Sequence, residues 1–342
     1  MKAAILEEIT KLYDNSQPLK ITEVKIPEIE KDEILIKVKA CGICHTELDE
    51  IEGRTPPSFF PVILGHQVTG IVEKTGEKVT KFKKGDRVGV GWIYSACLKC
   101  EYCINGYENL CKEFKATGRD ANGGYAEYMK IKEDFAFNLP LNLSFYESAP
   151  YFCAGAIGYR ALKLTNIKDG YNLGLTGFGA SAHLVLQFAK YLYKNIKIFV
   201  FARSGKERDF AHNLGAFWTG DINQMPPEKL NAIIDTTPVW KPVVESLKKL
   251  KPGGRLVINA IRKEEIDKEY LLNLVYEEHL WMEREIKSVA NITRRDIVEF
   301  LDIASKMNLK PEIEIFALEN INKALMEIKK GIIRGAKVLK IS

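Results

Sequence analysis

A chain of 342 residues fits about two domains, and with 46% hydrophobic and 28% charged residues it can fill packed cores, which excludes disorder, collagen and coiled coil as descriptions of the whole. Its 50 Lys and Arg against 45 Asp and Glu leave a net charge of only +5, with no basic arm or block to mark a nucleic-acid partner. No apolar run approaches the roughly 18 residues of a membrane span, and the stretch Ala3 to Leu6 ends at Glu7 and Glu8 without forming a signal peptide, so a cytoplasmic protein with no membrane partner is expected.

Up to about residue 150 the chain reads as short strands broken by Gly and Pro: Ile34 to Lys39, Val68 to Glu73 and Arg87 to Val90 are each rich in β-branched residues and flanked by turn formers. From about residue 155 strands alternate with helical segments. Leu173 to Thr176 runs into a glycine turn, Ala182, Val185, Leu186 and Ala189 recur at helical spacing, and Ile196 to Phe201 is the next apolar run. Ala232 to Asp235 and Arg255 to Ile258 continue the alternation, the latter introduced by the breaker Lys251-Pro-Gly-Gly254. Ile286 to Ala290 is expected to be a further strand and Asp296 to Met307 a helix. The fold class is therefore α/β, with a doubly wound parallel Rossmann sheet joined to a β-rich domain. The expected division is 1–154, 155–290, and a return to the first domain over 291–342.

Seven cysteines carry the most chemical information. Cys97-x2-Cys100-x2-Cys103-x7-Cys111 puts four thiols on one compact lobe, 92–115, where a tetrahedral S4 shell can close around zinc and leave no position for substrate. That is a structural metal site. Cys41, Cys44, His45, His66 and Cys153 remain as candidates for a second one; singly, each is more often a packed thiol or a hydrogen-bonded core imidazole than a ligand.

Gly177-Phe-Gly179-Ala180-Ser-Ala182 lies between an expected strand and an expected helix and matches G-x-G-x-x-G/A, the turn that binds a dinucleotide pyrophosphate at a helix N-terminus. At the end of the following strand, Ala202-Arg203-Ser204 offers no acid for a ribose 2′-hydroxyl. Arg203 and Ser204 could instead bind a 2′-phosphate, so NADP(H) is expected over NAD(H).

Cys44-His-Thr-Glu-Leu48, Gly65-His-Gln-Val-Thr-Gly70, the four-cysteine lobe, Gly123-Gly-Tyr-Ala-Glu-Tyr128 and Cys153-Ala-Gly155 occur in the order and at the approximate separations of one known family. The chain resembles, over essentially its whole length, the zinc-dependent alcohol dehydrogenases of the medium-chain dehydrogenase/reductase superfamily. The resemblance implies that the β-rich domain is GroES-like and catalytic. It implies two zinc ions per chain, the catalytic one held by Cys44, His66 and Cys153, and a homodimer or homotetramer acting on a small alcohol or aldehyde. Cys44 is favoured over Cys41 because the following His-Thr pair is the family's pattern. The metal is needed because an alcohol is too weak an acid to lose its proton at neutral pH without a dication beside it.

By the same resemblance Thr46 starts a proton relay, with a helix N-cap as its alternative role, and His45 contacts the cofactor pyrophosphate. Two departures stand out: Asp49 occupies the place of the histidine that passes the proton to solvent, and Gln67 replaces a glutamate beside the histidine ligand. Asp49 itself or water must then end the relay. In Gly331-Ile-Ile-Arg-Gly335-Ala336, Ala336 takes the place of an arginine that relatives direct at the pyrophosphate, and Arg334 is not given that role. Trp92, Tyr94, Phe114 and Tyr151 are candidates for an apolar substrate pocket. Alternatives on the same scaffold are a zinc-independent enoyl or quinone reductase, which has no use for the three ligands, and a non-catalytic nucleotide sensor.

Overall fold

The computed structural model describes residues 1–332 and 334–342. They form two compact units, one comprising Met1–Ala156 and Ile292–Ser342, the other Ile157–Asn291. Among the described residues no helix is long and apolar enough to cross a membrane.

The first unit is built around β1 (Glu33–Ile43), followed by helix α1 (His45–Ile51), β2 (Gln67–Thr75), β3 (Arg87–Val90), β4 (Tyr128–Lys132) and β5 (Ala136–Asn138). Ile34, Ile36 and Val38 of β1 are fully buried with Val68 and Val72 of β2. The β1–β2 register is antiparallel and pairs Gly42 with Gln67. This register matters for the site: Cys44 follows the end of β1 and His66 precedes the start of β2, so both emerge at the same end of the hairpin.

In the second unit, β6 (Asn172–Thr176) leads into helix α2 (Ala180–Leu192), then β7 (Lys197–Phe201), α3 (Gly205–Asn213), β8 (Trp218–Gly220), β9 (Leu230–Asp235), β10 (Leu250–Ile258) and β11 (Glu285–Ser288). All pairings are parallel, in the order β8-β7-β6-β9-β10-β11. The order reverses between β6 and β9, which makes the carboxyl edge of those two strands the topological switch point, where open α/β sheets bind their ligands. The Lys251-Pro-Gly-Gly254 segment does not precede a strand as expected. It lies inside β10, absorbed by a register shift opposite Leu230 and Ala232.

The chain returns to the first unit with α4 (Arg294–Lys306), β12 (Ile313–Ala317) and β13 (Ala336–Lys340). Strand β13 pairs antiparallel with β1 and completes a seven-stranded sheet. Helix α4 starts two residues earlier than the apolar pattern suggests because Thr293 caps it: the Thr293 hydroxyl accepts from the Asp296 amide at 3.1 Å, and Asp296 Oδ2 accepts from the Thr293 amide at 2.8 Å.

Candidate metal centres and nucleotide turn

Cys44, His66 and Cys153 come together in the first unit with their ligand atoms within 4.8 Å of one another. Cys44 is the residue before α1, His66 follows Gly65 in a left-handed conformation (φ +93°), and Cys153 ends a 3-10 turn over Ala149–Phe152. Cys44 Sγ lies 3.7 Å from His66 Nε2. Zinc–sulfur bonds of about 2.3 Å and zinc–nitrogen bonds of about 2.0–2.1 Å at tetrahedral angles separate such ligands by roughly 3.5 Å, so the donor set fits zinc.

Electrostatics agree with a cation at this point. Contact with Cys153, burial and the nearby Glu47 push the Cys44 thiol well above its ordinary range. Burial alone depresses His66, but Glu47 and Cys44 outweigh it and raise the imidazole well above its usual value. A dication reverses these penalties by favouring thiolate and neutral imidazole.

Glu47 was not singled out by sequence reasoning, yet it joins two of the three candidate ligands. Its Oε2 accepts from the Cys44 backbone amide at 2.8 Å, and its Oε1 lies 2.7 Å from His66 Nδ1. Fully buried, it stands beside His66 Nδ1, while Nε2 faces the Cys44 sulfur. The available signal was its place three residues after the cap of α1, the spacing of a capping box. We expect Glu47→Ala to weaken zinc binding at this site by about 10- to 100-fold. Metal competition against a chelator of known affinity measures this; an unchanged affinity contradicts the assignment.

Cys41 lies outside this group, fully buried, with its Sγ 3.6 Å from the Gly42 carbonyl oxygen. Burial, and then Glu47, push its thiol well up, consistent with packing alone. Gln67 is buried and folded over Gly42, where an added Cβ would sit 2.6 Å from its Oε1. Another acid lies nearby: Glu50 is fully buried, and burial followed by Glu47 holds its carboxyl well above the carboxylate range, against the pull of His66, Trp92 and Arg119.

Thr46 is the second residue of α1 and half-buried; the cap is Cys44, so the alternative role for Thr46 falls away. His45 opens the helix, exposed. Asp49 is buried with Oδ1 2.6 Å from Arg54 Nε. Of the aromatic candidates, Trp92 stands beside His66 at 6.4 Å between ring centres and packs on Phe114 at 5.5 Å. Tyr94 and Phe114 border the main core, and Tyr151 is buried with its hydroxyl donating to the Leu309 carbonyl at 2.7 Å.

Cys97, Cys100, Cys103 and Cys111 form the second group within 4.8 Å. Cys97 Sγ is 3.8 Å from Cys103 Sγ and 3.5 Å from Cys111 Sγ, distances a ZnS4 tetrahedron requires. The Cys100 amide donates to Cys97 Sγ and the Glu113 amide to Cys111 Sγ, each at 3.3 Å. The Lys99 and Cys100 amides pull the Cys97 thiol down to about 6, while burial and its cysteine neighbours push Cys103 up to about 12. Backbone amides aimed at sulfur suit thiolates, so this group also fits a cation.

In the second unit the glycine turn stands at the switch point. Gly177 has φ +77°, and an added Cβ there would meet Thr236 Oγ1 at 2.8 Å. Gly179 precedes α2, and an added Cβ there would meet nothing within 4 Å, leaving the helix N-terminus open to an anion. Ala180 opens the helix and Ala182 is fully buried beneath it. His183 is buried with Nδ1 3.1 Å from the Gly179 carbonyl oxygen, and burial lowers its pKa to about 4 despite the nearby backbone groups. Because the unfolded imidazole titrates near 6.5, this depressed value contributes stability that is complete above about pH 6.5 and lost as pH falls toward 4, about 3 kcal/mol in all. We expect the thermal midpoint of His183→Leu to fall less between pH 7 and 4.5 than that of the native protein; parallel declines refute this.

At the end of β7, Arg203 is exposed, and Ser204 caps α3. The Ser204 hydroxyl accepts from the Glu207 amide at 3.2 Å and donates to Glu207 Oε2 at 2.7 Å, so that side chain is already engaged. Arg208, which the sequence did not single out, folds back to donate to the carbonyls of Ala202 at 2.8 Å and Arg203 at 3.0 Å. Near the C-terminus Arg334 Nε pairs with Glu312 Oε1 at 3.2 Å and Ala336 begins β13; Ile333 lies outside the described residues.

Residues 30–141 match the family model of the alcohol dehydrogenase GroES-like domain. The chain is similar to a probable alcohol dehydrogenase of Mycobacterium tuberculosis, 39% identical over 95% of this chain and 93% of that protein. An alcohol dehydrogenase of Geobacillus stearothermophilus is 38% identical over the whole of both chains. Among solved structures, a cinnamyl alcohol dehydrogenase from Sorghum bicolor superposes with a TM-score of 0.84 at 27% identity, covering 99% of this chain and 97% of that one.

Proposed function

The chain belongs to the zinc-type alcohol dehydrogenases of the medium-chain superfamily, oxidoreductases acting on alcohols, and from that premise we propose how its own residues perform the reaction. Cys44, His66 and Cys153 hold the catalytic zinc; Cys97, Cys100, Cys103 and Cys111 hold the structural one. Bound zinc would supply Lewis acidity, and a bound nicotinamide nucleotide the hydride chemistry. The observation that carries this reading is the convergence of two thiols and one imidazole within 4.8 Å, with Glu47 bridging two of them.

The protein's part is to supply two thiolates and one neutral nitrogen, a three-donor set that would leave a bound zinc accessible to a small alcohol or aldehyde. Glu47 fixes the His66 ring. The Thr46 hydroxyl takes the alcohol proton and passes it to water, because Asp49 is occupied by Arg54. Trp92 forms one apolar wall beside His66.

The cofactor binds at Gly177, Gly179, Ala180 and Ala182 of the second unit. NADP(H) is preferred over NAD(H): Ala202 leaves room, and Arg203 supplies the charge for a 2′-phosphate. With Ser204 committed to its cap, Arg203 bears most of that preference. Arg203→Ala should lower kcat/KM with NADPH about tenfold and leave NADH unaffected; equal effects on both refute the role.

A homo-oligomer, dimer or tetramer, is supported by edge strand β11, whose four residues are all exposed, and by half-exposed Trp281 and Met282 just before it. Light scattering reads the state. Clustered free thiols suit a reducing compartment, so the proposed location is cytoplasmic. The reading as a whole is tested by zinc analysis paired with NADPH and NADH oxidation across aliphatic and aromatic aldehydes. Two zincs per chain and carbonyl turnover are expected; reduction of enones alone, with one zinc or none, overturns it.

A further inference from the structure

Where β9 ends, beside the glycine turn, the second unit buries an ion pair that no step of the reaction uses. Asp235 is the last residue of β9 and completely buried. Its Oδ1 accepts from the Thr176 hydroxyl at 2.5 Å and from the Thr237 hydroxyl at 2.8 Å. Its Oδ2 is bound by the ammonium of Lys263, a side chain only 7% exposed. Lys263 Nζ also donates to the carbonyls of Thr237 at 2.7 Å and Val239 at 3.0 Å, so its three protons are all engaged.

The placement gives the pair its meaning. Thr176 immediately precedes Gly177, and Thr236, next to Asp235, is what an added Cβ on Gly177 would strike. The carboxylate therefore sits under the turn at the switch point where a pyrophosphate approaches the amides of α2. A bare negative charge buried there opposes an anionic ligand, because low-dielectric surroundings screen it weakly. Lys263 cancels that charge and ties down the 237–239 loop beside the turn.

We propose that Lys263 is a positioning residue for the cofactor: by neutralising Asp235 beneath the glycine turn, it makes the switch-point crevice accept an anionic dinucleotide. The proposal rests on the reading that this turn binds nicotinamide nucleotides. A charge role and a merely structural role differ in sign. If the pair only supports the fold, removing either partner harms binding alike. If Lys263 acts by cancelling Asp235, removing the lysine weakens binding, removing the acid does not, and removing both restores it.

The test is direct titration of NADPH fluorescence on the zinc-loaded protein, with the melting temperature recorded in parallel. Lys263→Met is expected to raise the NADPH Kd about 10- to 30-fold, whereas Asp235→Asn keeps it within about threefold of native, and the double variant returns to within about threefold. Should Lys263→Met fail to fold, Lys263→Gln, which removes the charge and keeps a donor for the loop carbonyls, takes its place with the same rise in Kd expected. An unchanged Kd in Lys263→Met, or equal losses in Lys263→Met and Asp235→Asn, overturns the proposal. Loss of affinity in the double variant likewise overturns it. A native protein that binds neither NADPH nor NADH overturns instead the reading on which the proposal rests.

Discussion

Cys153→Ala is expected to lower kcat/KM for aldehyde reduction about a thousandfold and to reduce bound zinc from two ions per chain to one. Lewis-acid stabilisation of charge at a substrate oxygen contributes several kcal/mol, and each 1.36 kcal/mol is a factor of ten in rate. Cys153 supplies one of only three candidate donors, and its contact with Cys44 is the largest influence raising that thiol. Without it the remaining thiol and imidazole hold the cation weakly. The lobe should be untouched, since its four cysteines form a separate group. Steady-state kinetics with metal analysis check this; near-native turnover with one zinc lost would assign the chemistry elsewhere.

The second large effect is expected in the four-cysteine lobe. Its only α-helix, Glu101–Ile104, is four residues long, far below the length at which a helix stands by itself. Leu98, Tyr102, Ile104, Tyr107 and Leu110 are all substantially exposed, so over 98–110 apolar burial is slight and the fastening falls to the Glu108–Arg294 pair and to the proposed metal. Structural zinc contributes on the order of 10 kcal/mol in small metal-organised modules. If about 3 kcal/mol of that is felt by the whole unit, Cys100→Ala lowers the thermal midpoint by about 10 °C, at roughly 2–4 °C per kcal/mol. It should also open 92–115 to proteolysis and leave one zinc. Retention of both ions with an unchanged midpoint contradicts this account.

The fold class and family were legible because their signals are local or repeated. Alternating strands and helices after residue 155 have distinct periods, and the glycine turn carries its own spacing. The four lobe cysteines lie within one short stretch. What escaped depends on chain segments meeting in space. Glu47 gains its role only when the β1–β2 register brings His66 to the start of α1. Arg208 is half-buried because it turns back onto the Ala202 and Arg203 carbonyls, which no helix pattern announces. Lys263 and Asp235 are each unremarkable in the sequence and meet because the parallel register sets Asp235 opposite Ile258, after which the chain turns to bring Lys263 back onto the carboxylate. The Lys251-Pro-Gly-Gly254 breaker misled because a strand can carry a bulge through residues that usually end it.

Departures at Asp49 and Gln67 also read differently in three dimensions. By its position in sequence Asp49 is one of two ends for the relay, the other being water, and its Oδ1 is paired with Arg54 Nε at 2.6 Å. Gln67 removes an acid beside the histidine, yet Glu47 and Glu50 are both buried close by. The acid in contact with the candidate ligands is Glu47 of α1, and none follows His66.

A zinc-edge anomalous difference map from crystals of the zinc-loaded protein decides whether Cys44, His66 and Cys153 share a metal. Two peaks per chain are expected. One lies about 2.3 Å from Cys44 Sγ and Cys153 Sγ and about 2.0–2.1 Å from His66 Nε2; the other is surrounded by the four lobe sulfurs. A peak bound by Cys41 in place of Cys44, or none among the three residues while the lobe is filled, would contradict it.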